Sequence, residues 1–66
     1  MNEEESVLGL LHKQLEDEKA AIANALLQGA AGDYAGYRDM AGRLYGLSVA
    51  QARINEMADR LRRQSD

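Results

Sequence analysis

Gln28-Gly29-Ala30-Ala31-Gly32-Asp33 interrupts a chain that otherwise reads as helix from end to end. Gly29 can take the left-handed conformation that ends a helix. Gly32 is an alternative or additional turn residue, and Asp33 fits the next N-cap. A connection this short makes the helices on either side antiparallel neighbours. The predicted architecture is all-α: an antiparallel αα-hairpin with a first helix at about 3–28, a Gly/Ala turn at 29–33 and a second helix at about 34–63.

Upstream of the turn, Asn2 can cap a helix with Glu5 three residues later, and Glu3, Glu4 and Glu5 suit the positive end of its dipole. Apolar residues recur at Leu8, Leu11, Leu15, Ile22 and Leu26, which keeps one face, with the step at Glu18–Lys19 missing. Downstream, a seam runs through Tyr37, Met40 or Ala41, Leu44, Leu47, Ala50 or Gln51, Ile54, Met57 or Ala58, and Leu61. Arg60, Arg62 and Arg63 stand at the C-terminal end, where the dipole favours cations. With the turn centred near residue 31, Ile54 faces Leu8, Leu47 faces Leu15 and Met40 faces Ile22. The charges fit this pairing. Residues 1–33 carry two Lys and seven acids, and residues 34–66 carry six Arg and four acids. Glu3–Glu5 then lie beside Arg60–Arg63, which sets register more than stability, since an exposed pair is worth about 0–1 kcal/mol.

Composition narrows the function classes. The 66 residues include no Cys, Pro, Trp or Phe and one His. That excludes a disulfide framework and Cys-ligated metal, and leaves little for a nucleophilic triad. No cofactor, metal or small-molecule substrate is expected. A di-iron bundle would need Glu-x-x-His, and Glu5 and His12 are too far apart. The net charge of −3 does not suggest wrapping of nucleic acid. No stretch approaches the roughly 20 apolar residues of a membrane span. Met1-Asn2-Glu3-Glu4-Glu5 is acidic where a signal peptide would be basic, so secretion by a signal peptide is not expected. A chain this small without a staple usually adds subunits or a partner.

Several residues stand outside the hairpin seam. Gly42-x-x-x-Gly46 places two costly glycines inside a helix. They suggest close packing within or between subunits, with Gly42 opposite Ala20, or else a kink or a partner contact. Arg43 and the polar surroundings rule out the membrane meaning of this spacing. Tyr34, Tyr37 and Tyr45 are all the aromatics, and Tyr suits a surface apolar at one end and wet at the other. Val7, Leu10, Leu27 and Val49 fall off the seams and point to self-association or docking. His12 beside Leu11 reads as solvated, and Glu16-Asp17-Glu18 as a solvated face. Arg53, Arg60 and Arg63 share a stripe that reads as solvation plus pairing with the acidic first helix. The alternative is contact with nucleic acid, as in ROP-type bundles, whose binding face nothing here matches convincingly.

The stretch from Gly32 to Leu47 carries Asp-Tyr-x-x-Tyr-x-x-x-x-Gly-x-x-x-Gly-Leu at Asp33, Tyr34, Tyr37, Gly42, Gly46 and Leu47. With a charged first helix and a Gly/Ala turn, it resembles a group of small tailed-bacteriophage proteins commonly encoded among head and portal genes. The resemblance covers about residues 10–58 and implies a virion or virion-assembly component without enzyme activity, found in the virion or the host cytoplasm. Its expected partner is a portal, connector or capsid protein, or a second copy. The contact residues expected are Tyr34, Tyr37, Gly42, Tyr45, Gly46, Leu10, Leu27 and Val49. A regulator of a host protein and a ROP-type RNA binder are the alternatives.

Overall fold

The computed structural model describes residues 3–64. Two helices, α1 (Glu3–Leu27) and α2 (Tyr34–Gln64), pack against each other as an antiparallel hairpin. The Asn2 cap expected from the sequence lies outside the described residues.

The turn closes through backbone geometry alone. Gly29 takes φ 83°, and its N–H donates to the Leu26 carbonyl while the Ala30 N–H donates to the Ala25 carbonyl, at 3.0 and 2.9 Å. This pair of bonds is a Schellman cap, which satisfies carbonyls that the end of α1 would leave open. Gly32, at φ 75°, is an additional turn residue, not an alternative one. Asp33 then caps α2. Its Oδ1 accepts from the Gly36 N–H at 2.8 Å, three residues into the new helix. Gly36 is required for a reason the residue pattern does not reveal. A Cβ there would collide with the Ala31 carbonyl oxygen, so the turn folds back over the first turn of α2.

The hairpin seam is a strict alternation of three- and four-residue steps. On α1 the seam runs through the half-buried Glu5, Leu8, His12, Leu15, Lys19, Ile22 and Leu26, with Ala23 and Ala25 half-buried at its edge as Ala41 and Ala50 are on α2. On α2 it runs through Met40, Leu44, Leu47, Gln51, Ile54, Ala58 and Leu61, with Gln51 fully buried. These are the a and d positions of an antiparallel coiled coil. The two sets mirror each other about Asp33. The register predicted with residue 31 at its centre is therefore displaced, and each partner moves by about one helical turn. Leu8 consequently lies among Ile54, Ala58, Met57 and Leu61, not against Ile54 alone.

Two further sequence expectations change, at Leu11 with His12 and at Tyr37, and two points the sequence leaves open are decided. Leu11 turns outward and His12 takes its place on the seam, so His12 is half-buried, not solvated. Of Met57 and Ala58, between which the sequence leaves the seam position open, Ala58 is the inward residue and Met57 is exposed. The gap at Glu18–Lys19 is filled by Lys19. Tyr37, expected to open the seam, is exposed because the chain opposite it has already left the helix at Gly29. The chain is a rod, with principal extents of 50 × 14 × 11 Å. Its radius of gyration is 15.2 Å, against about 11 Å for a globule of this length.

Candidate functional site

Among the described residues no apolar side chain is buried. A two-helix seam is open along both flanks, so each seam residue keeps one side toward solvent. The residue that is buried is polar. Gln51, 6% exposed, donates from Nε2 to Glu16 Oε2 at 2.8 Å and to the His12 carbonyl at 3.3 Å. Its Oε1 accepts from Lys19 Nζ at 2.9 Å. Both ends of the amide are thus satisfied from α1, as a buried polar group requires. The Gln51 hydrogen bond, helped by the Lys19 charge, holds the Glu16 carboxyl below its ordinary value of 4.5.

This arrangement also resolves the three successive acids. They point about 100° apart, and each does something different. Glu16 reaches Gln51, Asp17 pairs with Lys13, and Glu18 lies on the opposite flank with Ile22, Arg43, Gly46 and Leu47. At the open end Arg62 crosses to Glu5, Nε to Oε1 3.8 Å, and also reaches Asp59 at 2.6 Å. Arg53 pairs with Glu56 of its own helix at 3.3 Å, not with α1 as expected.

The predicted contact residues do not form one patch. Gly42, Tyr45 and Val49 lie within two turns on the outer side of α2, and Gly46 lies on its flank with Ile22 and Leu47. Tyr34 and Tyr37 stack at the turn end, ring centroids 6.5 Å apart and 25° between planes. Leu27, 85% exposed, ends α1 at the same turn. Leu10 belongs elsewhere, beside Val7 and Leu11 on the exposed part of α1. The packing of Gly42 on Ala20 predicted from the sequence does not occur. Both are exposed, and a Cβ at Gly42 or Gly46 would meet nothing within 4 Å. Nor do the glycines break the helix, since α2 runs on through both.

A groove that sequence reasoning missed opens where the helix ends meet. Val7, Leu8, Met57 and Leu61 line it, with Glu3 and Glu4 at the rim. The signal was present in the strict three-four spacing, which turns Ala58 inward and so releases Met57.

Among the described residues no group of three or more His, Cys, Asp or Glu could hold a metal ion. Among them, no helix is long and apolar enough to cross a membrane. Comparison with protein-family models, curated proteins and solved structures finds no match for this chain.

Proposed function

We propose that this chain is a non-enzymatic docking hairpin that completes its core on another protein. The observation that carries this reading is that, among the described residues, no apolar side chain is buried while nine large apolar residues are more than a third exposed. A helix pair in that condition gains by covering its open flank, because each apolar side chain removed from water contributes roughly 1.5–3 kcal/mol. The open-end groove offers a place for it. Its apolar floor of Val7, Leu8, Met57 and Leu61 and its acidic rim of Glu3 and Glu4 suit an amphipathic helix with basic flanks.

The resemblance of Gly32–Leu47 to small tailed-phage proteins supports a setting for this docking. The partner there is a portal, connector or capsid protein, and the chain serves as a virion structural or assembly accessory. The test is mass spectrometry of purified virions together with a Met57→Glu variant. The reading expects the chain in wild-type particles or their assembly intermediates, and its loss when a charge enters the groove. A chain absent from both, with a host protein or RNA co-purifying instead, overturns the setting.

A further inference from the structure

The outer face of α2 repeats the spacing of the hairpin seam. Arg38, Gly42, Tyr45, Val49, Ala52 and Glu56 follow one another by four- and three-residue steps, almost opposite the side that meets α1. All six are exposed. On an isolated hairpin these positions would be polar throughout. Here the charges are at the ends and the middle is small, aromatic and aliphatic. The two interior glycines remain unexplained within the chain, since each costs about 1 kcal/mol in helix propensity and neither has a neighbour that a Cβ would touch.

We propose that this face binds the same face of a second copy, antiparallel about a two-fold axis at the level of Leu47. In that register Arg38 meets Glu56 of the second copy, Gly42 meets its Ala52 and Tyr45 meets its Val49. Every layer is therefore complementary: opposite charges, small against small, and aromatic against aliphatic. The two-fold axis repeats each pairing. Tyr45 and Val49 flank the axis on the contact face, and the residues on either side of that face at its level, Gly46 and Ser48, are small. Asp39 comes beside Arg53 of the second copy. Both now make only exposed pairs within their own helix, Asp39 with Arg43 at 3.1 Å and Arg53 with Glu56 at 3.3 Å, and these can exchange at little cost.

Other registers fail on the same residues. A slide of one heptad one way puts Tyr45 against Glu56 and Gly42 against Asp59, and the other way puts Arg38 against Val49. A parallel pair puts Arg38 on Arg38 and Glu56 on Glu56. The seam from Arg38 to Glu56 runs about 27 Å, which corresponds to an interface near the lower limit for specific association, about 1,000 Å². The result is four helices side by side, the two copies of α2 in the middle, with the open-end groove of each hairpin left uncovered. The dimer goes beyond the docking function and stands or falls separately from it.

Sedimentation equilibrium of the full chain tests this, with circular dichroism as a check on folding. The wild type is expected to reach twice 7.3 kDa at about 100 micromolar. Val49→Lys is expected to weaken the dimer at least tenfold with helix content retained at high concentration. Arg38→Glu is expected to weaken it about fivefold, and Arg38→Glu combined with Glu56→Arg to restore it. The swap pair lies at exposed positions, so it decides the matter even if Val49→Lys unfolds. A monomeric wild type, or a dimer that the charge swap neither weakens nor restores, overturns the proposal. A chain that dimerises but is missing from purified virions and their assembly intermediates leaves this proposal intact while removing the docking setting.

Discussion

Gln51 occupies a position where the heptad spacing expects an apolar side chain, and Leu15 stands at the mirrored position on α1. A polar residue at one such site fixes register at a cost in stability. Gln51→Leu is therefore expected to raise stability by about 1 kcal/mol, which is several degrees in a thermal melt. The same change is expected to broaden the distribution of associated species in sedimentation. A lower melting temperature would show that the Glu16–Gln51–Lys19 bonds stabilise more than a leucine would. The acid response follows from Glu16. Its carboxyl is held below 4.5 when folded by the Gln51 hydrogen bond and the Lys19 charge. The contribution is thus fully present above the unfolded value and lost as pH falls through the lowered folded one. Glu16→Gln keeps an oxygen that can accept from Gln51 Nε2 but does not titrate. Melts from pH 7 down to pH 3 are expected to show the wild type losing its advantage over the variant below about pH 4.5. A difference constant across that range would place the effect elsewhere. The sequence offers Gln51 on the seam only as an alternative to Ala50 and leaves a gap at Glu18–Lys19, because neither Gln51 nor Lys19 is apolar.

Each helix owes its limits to local chemistry. Gly29 ends α1 through the Schellman bonds and Asp33 starts α2 through its side-chain cap. Signals of this kind act over four or five residues, which is why the predicted bounds agree with Glu3–Leu27 and Tyr34–Gln64 to within a residue. Gly36 is the exception. Its need comes from the Ala31 carbonyl folding over the new helix, a contact set by the whole turn. Two glycines inside helices therefore respond in opposite ways to the same substitution. Gly9→Ala enters open space and is expected to stabilise by about 0.5–1 kcal/mol. Gly36→Ala has the same gain in propensity but collides with backbone, and is expected to destabilise by about 1–2 kcal/mol net. Thermal or urea unfolding of the two variants beside the wild type checks the pair. A stabilising Gly36→Ala would mean that the turn relaxes without loss.

At the scale of the molecule the 50 Å rod has one seam and no buried apolar centre. Anything that covers its flanks binds the folded state and raises its apparent stability. The melting temperature of the purified chain is therefore expected to rise between about 5 and 500 micromolar, as association with a second copy becomes favourable. Circular dichroism melts at the two concentrations read this directly, and coincident curves would show a hairpin that is self-sufficient. The amino-acid sequence alone sets the two helices, the Gly29 and Asp33 caps, the turn between them and their antiparallel order. Those features rest on propensity and on hydrogen bonds between near neighbours along the chain. Only the tertiary structure decided which residues meet. Leu11 and His12, like Met57 and Ala58, are adjacent and about 100° apart, so either of each pair could face inward on a single helix. The choice is made when both helices must keep three-four spacing against each other from one turn of fixed length. That joint condition turns His12, Lys19 and Gln51 inward and leaves Leu11 and Met57 facing out.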